Sequence, residues 1–206
     1  CIIPKEIFED KLNEDVLTGF NYIISELKKY KIDIEIKSLQ YWKPDIHRKY
    51  LLKIVENEGA LNLKILLENE RSNITKNLRN SLIYGKNIEP ITINNIKKEL
   101  KELKNKVKAL FESYDLIIMP TSPGSAFKID GIQDIITMYM QDLFTIPASL
   151  AGLPSISIPN GFDEDNNNMP MGLQIIGPQM LDVAVIRHSN ILEKALKLEK
   201  FPKKYL

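Results

Sequence analysis

The stretch MYMQDLFTIPASLAGLPSISIP, Met138 to Pro159, constrains the fold more than any other part of the chain. An apolar segment with helical spacing and one carboxylate, Asp142, runs into the turn Gly152-Leu153-Pro154. Ser155, Ile156, Ser157 and Ile158 then alternate with the period of a strand. A helix, a turn and a strand are thereby specified in immediate succession.

Two further segments fit around this junction. Asp115 to Met119 is a continuous apolar run, the mark of a strand buried on both faces, and Pro120-Thr121-Ser122-Pro123-Gly124 stops it. In α/β proteins the loop at the carboxyl end of such a strand is where ligands bind, so Thr121 and Ser122 are candidate binding groups as well as turn formers. Met171 to Pro178 reads as another strand, Leu181 to Leu198 as a closing helix, and Asp165 to Asn168 as a polar hairpin-type loop.

The first half of the chain is richer in helix. Ile2-Ile3-Pro4 has the character of a buried strand entering a turn. From Asn13, a capping residue, Val16, Phe20, Ile23, Ile24 and Leu27 form one apolar stripe that predicts a helix to about Tyr30. Ile32, Ile34 and Ile36 alternate with charged residues, which predicts a strand with one wet face. After the break at Trp42-Lys43-Pro44, helical spacing extends from Asp45 to Glu70. His47, early in that segment, has no second ligand at a metal-like spacing and is expected to have an ordinary surface or cap role. Ile93, Ile96, Leu100, Leu103, Val107 and Leu110 predict a helix over 93–111. Its lysines, Lys97 to Lys108, have no interleaved aromatics and are broken by Glu99 and Glu102, so a solvated face is expected rather than an RNA-binding one.

With 206 residues and 44% hydrophobic content the chain can bury one substantial core, and a single domain or part-domain over 1–206 is expected. A net charge of +1 gives no whole-protein field for nucleic acid or anionic membrane. The lone Cys1 excludes an internal disulfide framework. No apolar run approaches the roughly 18 residues of a membrane span, and no membrane partner is expected. Because residue 1 is cysteine rather than methionine, the sequence is expected to continue something longer. Its richness in Lys, Asn and Ile suggests an AT-rich coding genome, compatible with a reduced bacterium or an organelle-bearing parasite, and a bacterial cytoplasmic or a plastid or mitochondrial location is expected.

The chain carries no Gly-x-Ser-x-Gly elbow, no phosphate-binding Gly-x-x-x-x-Gly-Lys and no Gly-x-Gly-x-x-Gly. His188 and Asp182 share a predicted helix, but a triad is defined by geometry, and His188 is expected to be an ordinary helix residue. Residue chemistry by itself reaches an α/β domain and stops there.

Three segments in order, YDLIIMPTSPGSAFKI (Tyr114 to Ile129), MYMQDLFTIPASLAGLPSISIP and MPMGLQIIGP (Met169 to Pro178), resemble the C-terminal half of the amidase signature family. Within it they are most similar to the A subunits of glutamyl-tRNA(Gln) amidotransferases, and Ile2 to Val16 is similar to the start of the same half. The resemblance implies an α/β fold, a mixed β-sheet flanked by helices. It also implies a larger assembly with B and C subunits, in which the tRNA-binding B member, accompanied by the small C member, uses ATP and Mg²⁺ to activate the glutamate on tRNA. The resembling subunit hydrolyses glutamine through a nucleophilic serine, a second serine in a cis peptide and a lysine of lowered pKa, and so supplies ammonia. No Gly-Ser-Ser-Gly-Gly-Ser stretch occurs here, so these groups are expected upstream of Cys1 and the segment alone is expected to be inactive.

What the resemblance places in this half is the substrate side. The carboxylate that grips the α-amino group of glutamine falls on Asp142, and burial opposite an ammonium would suit it. The family's arginine for the glutamine carboxylate precedes a Leu-Gly pair. The comparable stretch is Leu78 to Gly85, where Arg79 stands near the expected place and Asn80 and Ser81 occupy it. A tyrosine pair is replaced by Leu51 and Leu52, beside Tyr50. Three readings stay open: the amidotransferase subunit, another amidase with a different amide substrate, and a non-catalytic remnant or scaffold.

Overall fold

In the computed structural model, residues 1–8, 12–69, 73–127, 140–163 and 169–196 are described. Five strands form one mixed sheet: β1 (Ile2–Pro4), β2 (Glu35–Lys37), β3 (Ile117–Pro120), β4 (Ser155–Asp163) and β5 (Met169–Ile176), in the order β2-β1-β3-β5-β4. β1 runs parallel to β2 and β3, whereas β5 is antiparallel to both β3 and β4. β3 is buried along its length, as an apolar run with no alternation requires. Ile118 faces Ile175 across one ladder and Ile156 faces Ile175 across the next, which ties the predicted strands into one register.

The helices flank the sheet in two groups. α1 (Glu14–Lys29) and α7 (Asp182–Leu196) lie against β4 and against each other. α2 (Pro44–Asn62), α5 (Pro90–Leu110) and α6 (Ile146–Ala151) pack together. α1 buries the stripe read from the sequence, Val16, Phe20, Ile23, Ile24 and Leu27. α5 buries Ile93, Ile96, Leu100, Leu103 and Val107 and exposes its lysines. It begins three residues before Ile93, because Pro90 suits the first turn, where a missing N–H loses nothing. Trp42, Phe20 and Phe144 are fully enclosed in the core these elements share.

Several expectations are corrected. The alternation at Ile32 to Ile36 yields only the short edge strand β2. Ile32 and Ile34 are partly buried ahead of it, and Ile36 is 49% exposed, since an edge strand has a neighbour on one side only. Helix does not run unbroken from Asp45: α2 ends at Asn62 and a short α3 (Lys64–Glu68) follows, with residues 70–72 outside those described. α4 (Lys76–Lys86) then returns along α2, its N-terminus capped by Thr75, whose Oγ1 accepts from Leu78 N at 3.2 Å.

The Met138–Pro147 segment is not one helix. Met138 and Tyr139 lie outside the described residues, 141–145 form turns, and α6 starts only at Ile146, with Pro147 in its first turn. Thr145 Oγ1 donates back to Asp142 O at 2.8 Å, closing the turn. α6 ends at Gly152, whose φ of +70° is the left-handed cap that glycine adopts without strain. The polar loop 165–168 and residues 197–198 of the predicted closing helix lie outside the described residues.

Candidate functional site

The loop after β3 is fastened at three points. Thr121 N donates to Gly172 O on β5 at 2.8 Å, Asn13 N donates to Pro123 O at 2.8 Å, and Ser125 Oγ donates to the buried carboxylate of Asp163. Asn13 holds the extended backbone of a helix cap but makes no side-chain cap bond, and its side chain packs against Gly124 instead. The fastened loop, Gln141, Val16 of α1 and the β4–β5 hairpin line an open cavity of about 650 Å³. A pair of hydroxyls, Thr121 Oγ1 and Ser157 Oγ, meet within it at 2.6 Å. Gly172 makes that meeting possible, because a Cβ there would stand 2.5 Å from Ser157 Oγ and 2.7 Å from Thr121 Oγ1. Ser122 Oγ donates to Gln141 Oε1 at 2.7 Å and brings the turn that carries Asp142 up to the cavity.

Hydroxyl and amide groups of this kind recognise a polar substrate by hydrogen bonding. Among the described residues that line the cavity, the polar side chains are Thr121, Ser122, Gln141 and Ser157, groups that can orient a substrate by hydrogen bonding. Asp142, next to Gln141, has a side chain 59% exposed, and its Oδ1 lies 3.9 Å from Arg48 Nε on α2. Arg48 is mostly enclosed, at 17% exposure. Among the described residues no group of three or more His, Cys, Asp or Glu could hold a metal ion, and no helix is long and apolar enough to cross a membrane.

A family model described as Amidase matches residues 3–186. The chain belongs to the amidase family. Among the A subunits of glutamyl-tRNA(Gln) amidotransferases, that of Thermotoga maritima is 30% identical over 93% of this chain and 44% of its own length. That of Orientia tsutsugamushi (strain Ikeda) is 31% identical over 98% of this chain and 46% of its own. The crystal structure of the Thermotoga maritima protein superposes with a TM-score of 0.75 at 29% identity, covering 94% of this chain and 41% of that one. Another amidase crystal structure superposes at 0.81 with 19% identity and shows the fold alone. The chain thus spans less than half the length of the curated relatives it matches.

In this amidase chain the residues singled out from the sequence part company. Asp142, Thr121 and Ser122 gather at or beside the cavity. Arg79 does not: its Nη1 donates to Leu67 O at 3.0 Å and its Nη2 to Asn69 O at 3.3 Å, which binds α4 to the end of α3. Ser81 Oγ donates to Glu56 Oε1 at 3.1 Å, Asn80 is exposed, and neither they nor Leu51 and Leu52 line the cavity. His188 and Asp182 lie on the exposed side of α7 and take no part.

His47 is corrected from surface to interior. It is 5% exposed, and burial, helped by the charge of Lys43, pushes its pKa down to about 4, so it is neutral at pH 7. Sequence reasoning missed Gln141, Ser157, Gly172 and Arg48. One signal was present: a glycine inside a strand often marks a close approach, as Gly172 does here.

Proposed function

We propose that this chain forms the substrate side of the glutamine-hydrolysing subunit of a tRNA-dependent amidotransferase, which releases ammonia for the conversion of Glu-tRNA(Gln) to Gln-tRNA(Gln). One observation carries the reading. Identity to the A subunits of glutamyl-tRNA(Gln) amidotransferases is 29–31% along nearly the whole chain, whereas two other amidase structures align on the same fold at 17% and 19%.

In this reading the nucleophilic serine, the second serine and the lysine belong to sequence upstream of Cys1, and residues 1–206 contribute one part-domain. The fastened loop and the Thr121–Ser157 pair orient the substrate amide, and Asp142 takes the α-ammonium group of glutamine. Closing a site over Asp142 would strengthen that contact, since a charge pair gains as water leaves. The partners are the B and C subunits, the former binding tRNA and taking up ATP and Mg²⁺, the latter small. Such an enzyme works in a bacterial cytoplasm, a plastid or a mitochondrion.

A second reading, an amidase for another amide, is favoured by one feature. The stretch expected to supply the carboxylate-binding arginine has its only arginine, Arg79, engaged with backbone carbonyls.

Co-expression with the tRNA-binding subunit tests the choice. The full-length chain should co-purify with that partner and hydrolyse glutamine, and the 206-residue chain alone should show no turnover. Turnover by the isolated chain would put the reacting groups inside it and sink the reading. Hydrolysis of other amides with none of glutamine would select the second reading.

A further inference from the structure

Wound into α5, the lysines that look interrupted in the sequence separate from the acids between them. Lys97, Lys101, Lys104 and Lys108 follow at steps of four, three and four residues, which sets them on one line along the helix. Glu99 and Glu102 turn elsewhere and line a different cleft, with Tyr41, His47 and Tyr50. All four lysines of the line are exposed, and among the described residues none of them makes an ion pair. Like charges at these spacings weaken a helix, a cost that an anionic partner would remove along about 16 Å of its length.

The line runs into an open cleft of about 420 Å³. Lys104, Asn105 and Lys108 share it with Phe111, Leu153 and Gln179. Phe111 is partly buried against the core, so its ring is held by packing. Asn105 and Gln179 are exposed amides, each able to donate and to accept. The turn that carries Gln179 is closed by Leu181 N, which donates to Pro178 O at 3.2 Å. Glu112, just past α5, is the acid among the described residues of the cleft.

A row of cations leading to an aromatic ring flanked by amides matches an unpaired nucleotide strand: phosphates for the cations, a base face for the ring, base edges for the amides. Resting on the tRNA-dependent reading above, we propose that α5 carries a second binding face, for an unpaired strand of RNA. Its phosphates lie along Lys97 to Lys108 and one base enters the cleft against Phe111. With a net charge of +1 for the whole chain, the attraction belongs to this face and not to the molecule at large. An acidic protein surface would use the lysines and leave the cleft idle, and a paired RNA would keep its bases out of it.

Fluorescence anisotropy of a labelled RNA octamer of mixed sequence, titrated with the full-length chain purified without its partners, tests the proposal. With four cations on the strand, the logarithm of the binding constant should fall with the logarithm of salt at a slope of about −2.8, and Lys97→Gln with Lys101→Gln should bring it to about −1.4. Lys43→Gln with Lys106→Gln, which removes the same charge from the other cleft, should leave the slope as it was. Phe111→Leu keeps an apolar side chain for the core and should weaken binding about tenfold at unchanged slope, the effect of one lost stacked base. A blunt RNA duplex should not respond to Phe111→Leu.

Equal losses from the two lysine pairs would reduce the effect to general charge and overturn the proposal. So would an octamer that does not bind, tighter binding of the same sequence as DNA, or tighter binding of poly-L-glutamate, which would make the occupant an acidic protein. Thermal unfolding checks each variant, and if Phe111→Leu does not fold, the exposed Gln179→Ala takes its place, with weaker octamer binding expected and an unchanged affinity overturning the proposal. Glutamine hydrolysis by the assembled enzyme separates the two readings: activity without RNA binding rejects this face alone, whereas cleavage of other amides with none of glutamine rejects the tRNA-dependent reading.

Discussion

The β3–β5–β4 sheet with its fastened loop and the helical lobe α2–α3–α4 are built on opposite plans. In the sheet region nearly every constraint is doubled. Strand register, three loop hydrogen bonds and a close-packed glycine all bear on the position of Thr121. The helical lobe is held mainly by one contact line between α2 and α4, at which Asn57 Nδ2 donates to Gly85 O at 3.1 Å. Its outer residues Val55, Leu61, Ile65, Ile83 and Tyr84 are exposed, Ile65 at 83%. The lobe leaves more large apolar side chains uncovered than strands β3, β4 and β5 do. On the reading proposed above, the wall that orients the substrate amide falls where position is over-determined, as an accurately placed site requires.

The most damaging single change is expected in the lobe. Gly85→Ala would place a Cβ 1.9 Å from Glu56 O, a backbone atom that cannot step aside, so α4 must leave α2. A loss of about 3 kcal/mol or more is expected, at the upper end of overpacking. Urea unfolding measures it, and hydrogen exchange should show the loss confined to α2–α4 while β3 and β5 stay protected. Spread of the effect into the sheet would erase the contrast between the two regions.

The corresponding change in the sheet is Gly172→Ala. Its new methyl meets flexible hydroxyls instead of backbone, so about 1–3 kcal/mol should be lost. The Thr121–Ser157 contact should open, and KM of the full-length enzyme should rise with the fold intact. Thr75→Ala removes the cap of α4 and should cost about 1 kcal/mol, read as a lower unfolding midpoint with exchange rising first at the start of α4.

The remaining effect is one of pH. His47, with a folded pKa of about 4 against 6.5 for the ordinary residue, makes the unfolded chain bind more protons between those values. Its share of stability is therefore complete above pH 6.5 and is lost as pH falls toward 4. His47→Gln should flatten that slope, as followed by the fluorescence of Trp42, the single buried tryptophan. An unchanged slope would mean that His47 does not set it.

Periodicity made the sheet region legible: the apolar run of β3, the alternation at Ser155 to Ile158 and the stripe of α5 all reappear where sequence spacing put them. Such patterns report which faces are buried, and burial dominates where an element is surrounded. The site was only half legible. Thr121, Ser122 and Asp142 could be named, but the helical spacing around Asp142 gave way to turns because Pro147 fixes where α6 begins. Ser157 meets Thr121 across the fold and Arg48 meets Asp142, and no local pattern encodes a partner so far away along the chain. His47 failed for a related reason: a histidine on a charged helix looks solvated until α5 is laid against it.

The sheet order also has a consequence in time. β4 and β5 are neighbours in sequence and in space, so their hairpin closes over a short loop. β1, with Ile2 opposite Ile117, joins β3 only after much of the chain has been synthesised. Loop closure grows more costly with separation, and pairing of distant strands is slow. Of the strand pairings, β1–β3 closes the longest loop and is expected to form last. Until it does, β1 has β2 on one side and an open edge on the other, and that apolar edge at Ile2 and Ile3 is one that a chaperone or a neighbouring chain could capture first.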